Sequence, residues 1–261
     1  MVYEHISVEA GPVAKILLAR PEARNAMSDV TLRELTDVFQ ALALEKGLRA
    51  VLVTGQGKDF CAGADIQWMK AGGRLPPAEG KKDARLFAEM LAAVDECPAP
   101  VVVAAQGSVF GGGLGLLAAC DVALLSDDAK MCFSEVRLGI MPAVISSWVL
   151  PKIGIANARR YYLTAEVFGA AEAVRMGLAH ESVPAGELLS RADFVIKSIL
   201  KNGPLAVRTA KALIPKIAAA KAAERVALTI DTLVKLRSSP EGQEGLSAFL
   251  EKRPANWVPK P

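Results

Sequence analysis

Within the first twenty residues, apolar and polar positions alternate twice. Tyr3 to Val8 and Val13 to Ala19 keep enough of the two-residue period to predict a β-hairpin turning at Gly11-Pro12. The period then lengthens. Leu32, Leu35, Phe39 and Leu42 recur at helical spacing after Ser28, a residue type that caps helix N-termini. Arg49 to Thr54 predicts a buried strand closed by Gly55-Gln56-Gly57. Residues 71–82 (AGGRLPPAEGKK) combine Gly, Pro and charge, and predict a mobile surface loop. Leu86, Met90, Leu91 and Val94 predict a helix, and Pro100 opens a strand from Val101 to Ala105. After it, GSVFGGGLGLLAACDVALL predicts a glycine turn, a short apolar helix and another strand from Asp121.

Beyond about residue 143 the pattern turns helical. Residues 186–202, 204–219, 221–237 and 241–252 read as helices with no competing strand pattern. The expectation is an α/β core over residues 1–200 followed by a C-terminal helical region over 201–261.

Composition narrows the chemistry. Of 261 residues, 52% are apolar and 23% charged, enough for a full core and unlike a disordered chain. Basic minus acidic residues, 31 − 28 = +3, is too small a bias to imply nucleic-acid or membrane-surface binding. Cys61, Cys97, Cys120 and Cys132 form no CxxC pair, so buried free thiols are expected rather than a zinc site or a disulfide framework. The N-terminal segment lacks a basic stretch followed by an apolar one, and the apolar run Leu138 to Pro151 is too short to span a bilayer. A cytoplasmic protein is expected. The two histidines, His5 and His180, sit beside no Ser or Cys elbow, which disfavours a histidine triad or a multi-histidine metal site. Acid–base chemistry is left to carboxylates.

Three segments carry candidate chemistry. Phe60-Cys61-Ala62-Gly63-Ala64-Asp65-Ile66 and Gly107 to Gly115 each follow a strand and lead into a helix. Small residues there either permit tight turns or, if the two turns face each other, present backbone N–H groups to a developing oxyanion. The triple glycine fits a dinucleotide fingerprint only loosely, and no Lys-Ser/Thr follows as in a phosphate-binding loop. In Ser134-Glu135-Val136-Arg137-Leu138-Gly139, Glu135 reads either as a proton shuttle at the edge of an apolar pocket or as a surface partner of Arg137.

The chain resembles the enoyl-CoA hydratase/isomerase (crotonase) family over essentially its whole length. The resemblance rests on Arg20-Pro21-Glu22-Ala23-Arg24-Asn25-Ala26-Met27, the FCAGADI segment, the triple-glycine turn leading to Cys120-Asp121, Ser134 to Gly139, and Phe249-Leu250-Glu251-Lys252-Arg253-Pro254. It implies a spiral of ββα units with a helical C-terminal trimerisation region. It also implies catalysis by Glu135 with the Ala64 and Gly112 N–H groups holding a thioester enolate. Ala23 and Arg24, then Ala62, Ala64 and Ile66 around the adenine, match coenzyme A positions, and Phe249 and Lys252 match positions covering the nucleotide. No metal or separate cofactor is implied, since coenzyme A arrives as part of the substrate. The partner is an acyl-CoA, and the assembly a homotrimer or homohexamer, with Ile196, Ile199, Leu213, Ile217, Leu228 and Leu233 as candidate contact residues.

One position departs from the hydratase pattern. The first of the family's two catalytic glutamates would fall at Gly115. The wording around residues 139–166 is similar to bacterial methylglutaconyl-CoA and isohexenylglutaconyl-CoA hydratases, which implies a branched 3-methylglutaconyl-type substrate of leucine or related isoprenoid-acid breakdown. A Δ3-Δ2-enoyl-CoA isomerase using one glutamate is the second reading, and a non-catalytic acyl-CoA binder the third. RNA binding, known for a eukaryotic relative, is disfavoured by the charge balance. Lys70, Arg74 and Arg137 could face a distal carboxylate, and Trp68, Met69 and Trp148 could line an acyl pocket, although surface and core roles are commoner for each.

Overall fold

The computed structural model describes residues 3–259. Its nine strands are β1 (Ile6–Glu9), β2 (Val13–Leu18), β3 (Ala50–Gly55), β4 (Val101–Ala105), β5 (Ser108–Phe110), β6 (Val122–Ser126), β7 (Lys130–Cys132), β8 (Phe168–Gly169) and β9 (Glu181–Val183). Six of them form one sheet in the order β1-β2-β3-β4-β6-β9, and the other three a smaller sheet, β5-β7-β8. Only the β1–β2 pair of the larger sheet is antiparallel, with Ile6 opposite Leu18 as the hairpin pattern predicts. The parallel strands are covered on both faces, which explains why β4 is a continuous apolar run rather than an alternating one. Val101, Val103 and Ala105 join the main core, while Val102 and Ala104 pack with Leu188, Ala192 and Ile196 of α7 (Leu188–Leu200).

The other helices are α1 (Asp29–Leu44), α2 (Ile66–Gly72), α3 (Pro77–Asp95), α4 (Gly112–Ala119), α5 (Ser146–Thr164), α6 (Ala170–Arg175), α8 (Pro204–Ala219), α9 (Ala222–Arg237) and α10 (Pro240–Leu250). Ser28 caps α1 as expected, accepting from the Thr31 N–H, and Leu32, Leu35, Phe39 and Leu42 are all buried. α5 is broken at Gly154, where φ is 71°.

Three expectations are corrected. Residues 71–82 are not one loop: α2 runs to Gly72 and α3 begins at Pro77, leaving only residues 73–76 between them. Proline at the first helical position has its φ already set and no N–H to lose, so the Pro76-Pro77 pair marks a helix start rather than irregular chain. Strands β5, β7, β8 and β9 have two or three residues each, too short for a period-2 signal, and β8 and β9 fall in the part that looked purely helical. Finally, Ile196 is not a free contact residue, because it is buried within its own subunit.

α8, α9 and α10 pack on one another, and the described structure buries no residue of α8 or α9. Polar links fasten this end to the sheet. Arg208 donates to the carbonyl of Leu48, Arg49 to those of Leu200 and Asn202, and Lys211 pairs with Asp121 at 2.6 Å. Ile214, Val226, Ile230 and Leu233 stay exposed.

Candidate active site

The two glycine-rich turns meet. The Cys61 N–H donates to the Ser108 carbonyl at 3.0 Å, and the Phe110 N–H donates back to the Cys61 carbonyl at 2.9 Å. Cys61 and Val109 thus form an isolated parallel bridge, and Met27 forms another with Ala64. Glycine is required at this crossing. An added Cβ on Gly113 would lie 2.8 Å from the Cys61 carbonyl oxygen, and one on Gly107, where φ is +61°, only 2.1 Å from the Lys58 carbonyl oxygen. Asp59 locks the same corner: its carboxylate accepts from the Ser108 N–H and from Arg24 Nε, each at 2.8 Å. Burial alone would raise its pKa, but the hydrogen bonds from Arg24 and Ser108 hold it down to about 2.

The pairing uses one side of each turn and leaves the other side open. The N–H groups of Ala64 and Gly112 donate to no protein acceptor among the described residues. Gly112 opens α4, whose first N–H groups have no partner within the helix. Gly63 and Gly112 are close enough that a Cβ on the former would be 3.8 Å from the N of the latter.

Ala64, Gly112 and Glu135 line one cavity of about 330 Å³, with Phe87, Met141, Val144 and Ile145 among its apolar residues. Glu135 starts a 3-10 turn (Glu135–Leu138) that stops at Gly139 with φ 74°. Its Oε1 is 3.1 Å from where a Cβ on Gly111 would stand, so the carboxylate lies against the residue preceding Gly112. Oε2 is buried with no hydrogen-bond partner, and burial raises the Glu135 pKa above the ordinary carboxylate value. Arg137 does not pair with it, since its guanidinium donates to the Ala165 carbonyl. Of the two readings of Glu135, the geometry fits the one at the edge of an apolar pocket.

The remaining candidates separate clearly. Ala62, Ile66, Trp68 and Met69 line the cavity. Ala23 and Arg24 do not, although the Arg24 carbonyl accepts from the Ala62 N–H, which sets their turn beside the glycine crossing. Phe249, 82% exposed, and Lys252 lie at and beyond the end of α10, outside the cavity lining. Lys70, Arg74, Arg137 and Trp148 are absent from the lining too, and Trp148 Nε1 donates to Asp95. His5 bonds the hydroxyls at the start of α1, and His180 Nδ1 accepts from the Ala123 N–H. All four cysteines are buried and free, with burial pushing Cys61 and Cys120 up to about 12.

Sequence reasoning missed Asp83, Phe87 and Ile145. The first two lie on α3, whose start was read as loop, although Phe87 sits at helical spacing from Met90, Leu91 and Val94. Ile145 had no signal, because its importance is spatial. An added Cβ on Gly115 would be 2.4 Å from Ile145 Cγ2, so the isoleucine occupies the room that a larger residue 115 would need.

Comparison with known proteins places the whole chain in one family. The family model described as enoyl-CoA hydratase/isomerase matches residues 9–260. Crotonyl-CoA hydratase of Syntrophomonas wolfei is 33% identical over 263 residues, covering 100% of both chains. Short-chain-enoyl-CoA hydratase of Clostridium acetobutylicum is 31% identical over 93% of each. The crystal structure of an enoyl-CoA hydratase from Shewanella pealeana superposes with a TM-score of 0.93 at 34% identity, over 97% of this chain and 96% of that one.

Proposed function

The chain belongs to the enoyl-CoA hydratase/isomerase family, and from that premise we propose that it hydrates a 2-enoyl-CoA thioester with Glu135 as its acid–base group. The observation that carries this reading is the joint presence of a desolvated carboxylate and two unpaired backbone donors in one small cavity. In the reaction, Glu135 removes a proton from water as the water oxygen bonds to C3. The C2=C3 π electrons move toward the thioester, and the resulting enolate oxygen accepts from the Ala64 and Gly112 N–H groups. One such donor is worth about 3–4 kcal/mol at a developing oxyanion. The positive end of α4 adds to the same effect. Protonated Glu135 then returns its proton to C2. With a single carboxylate serving both steps, addition is syn.

A second reading is supported by Ile145. Its packing over Gly115 leaves one carboxylate at that end of the cavity, which suits a Δ3-Δ2 isomerase moving a proton between C2 and C4. Crotonyl-CoA and 3-hexenoyl-CoA in H₂¹⁸O distinguish the two. Labelled 3-hydroxybutyryl-CoA is expected. A shifted double bond without added oxygen would establish the isomerase, and thermal stabilisation by acyl-CoA without any turnover would leave a binding protein.

For the acyl group, the branched glutaconyl type implied by the sequence carries a distal carboxylate, and the cavity offers it no lining cation. We therefore favour an uncharged acyl chain, in keeping with the crotonyl-CoA and short-chain relatives. Arg24, Phe249 and Lys252 remain our candidates for the nucleotide end, which is too large for the cavity. The exposed apolar faces of α8 and α9 are read as contacts within a homotrimer or homohexamer.

A further inference from the structure

Apart from Glu135, one ionisable side chain lines the cavity: Asp83 of α3. It is half-buried, and its Oδ1 accepts from Trp68 Nε1 at 2.8 Å. Its Oδ2 faces α2 so closely that a Cβ on Gly72 would be 2.7 Å away. Glycine at position 72 therefore makes room for this carboxylate between the two helices. No ion pair to Asp83 is present among the described residues. Lys81 and Lys82 precede it on α3 at spacings that put them on other faces, and both are exposed, as are Lys70 and Arg74. The catalytic steps above make no use of Asp83.

A fixed, uncompensated carboxylate in a small apolar cavity acts on whatever charge enters beside it. At about 330 Å³ the cavity is near the lower end for ligand sites, so an acyl tail inside it lies near every wall. Like charges a few ångströms apart beside a half-buried group repel, and salt screens them less than at an open surface. The geometry points to Asp83 as a charge filter: it excludes acyl chains ending in a carboxylate and so directs the enzyme to neutral acyl-CoA substrates. This is specificity by penalising the wrong ligand rather than by adding a contact to the right one. It deepens the acyl-CoA reading of the same cavity and rests on it.

The test is binding of two unreactive saturated thioesters, butyryl-CoA and glutaryl-CoA, by calorimetry, so its outcome does not depend on whether the protein hydrates or isomerises. The native protein should prefer butyryl-CoA by about 10–100-fold. Asp83→Asn keeps the shape and the oxygen facing Trp68, and should reduce that ratio at least about fivefold. Gly80→Arg provides the opposite arm. Gly80 lines the cavity one helical turn before Asp83, and a Cβ there meets nothing within 4 Å. A cation at that position should reduce the ratio further, and it keeps the test open if Asp83→Asn folds poorly. Equal affinity of the native protein for both thioesters, or a ratio unmoved by either folded variant, would overturn the filter. Binding of neither thioester would instead refute the acyl-CoA reading itself.

Discussion

At the glycine crossing, the cavity is formed by main chain: Cys61 pairs with Val109, Met27 with Ala64, and the spacing leaves no room for a Cβ on Gly107 or Gly113. At α2, α3 and residues 138–145 it is formed by side chains: Trp68, Asp83, Phe87 and Ile145 set its shape and charge. The first region tolerates almost no substitution and holds the groups assigned to chemistry. The second ranges from open space at Gly80 to the buried Phe87 and Ile145, and holds the groups that choose what enters. Backbone donors survive every substitution except proline, so a fold that fixes them can keep one reaction while the opposite wall changes substrate. Changes at the crossing should therefore alter turnover or folding, and changes at the helical wall should alter which acyl group is used.

The largest effect is expected at Glu135, which leans on the crossing at Gly111. Glu135→Gln keeps the shape and should lower kcat by about 10²–10⁴-fold with acyl-CoA affinity little changed. Because burial raises its pKa, the native kcat/KM should rise with pH through a value above the ordinary carboxylate range. That limb should vanish in the residual activity of the variant. Near-native turnover would remove Glu135 from the mechanism.

Next in size is Gly107→Ala. The left-handed backbone and the 2.1 Å approach to the Lys58 carbonyl leave the new methyl no place. A loss of about 2–5 kcal/mol is expected, read as a fall of roughly 5–15 °C in Tm. Gly80→Ala on the helical wall meets open space and should stabilise slightly. Equal Tm shifts for the two would erase the contrast between the regions.

This contrast also divides what the sequence revealed from what it hid. The hairpin, α1, the buried strands and both glycine turns were legible because each is a local pattern or a backbone requirement written as glycine. Glu135, Ala64 and Gly112 came from their place in the family motifs, and the fold brings all three to one cavity. Of the helical wall only Trp68 and Met69 were legible, as apolar residues next to the first glycine-rich segment. Pro76-Pro77 imitated a loop, the three-residue strands carry no period, and Ile145 meets Gly115 only through packing between segments thirty residues apart.

The coupling between Ile145 and Gly115 is a smaller effect than the losses expected at Glu135 and Gly107. Gly115→Ala should cost about 1–3 kcal/mol by overpacking, and Ile145→Ala about 2–5 by leaving a cavity. Combined, they should cost about 0.5–3 kcal/mol less than their sum, since each relieves the other. Strict additivity in urea unfolding would mean that the two side chains do not compete for this space.

The smallest effect concerns the ion pair that ties the crossing together. Asp59 is 10% exposed and its partner Arg24 is 52% exposed, so water screens the pair from one side. Its folded pKa of about 2 lies below the ordinary 3.8. The linked stability is therefore fully present above 3.8 and is lost as pH falls through about 2. Allowing for the exposed partner, this amounts to about 1–2 kcal/mol at neutral pH. Asp59→Asn should lose that amount in urea unfolding at about pH 7, and the gap from the native protein should close as the pH is taken from about 5 toward 2. A gap of the same size at both ends would assign the loss to the Ser108 hydrogen bond rather than to charge. In that case the crossing would be held by hydrogen bonds that do not depend on charge, the one from the Ser108 N–H to residue 59 among them, and Arg24 would be free to turn toward a phosphate without weakening the fold.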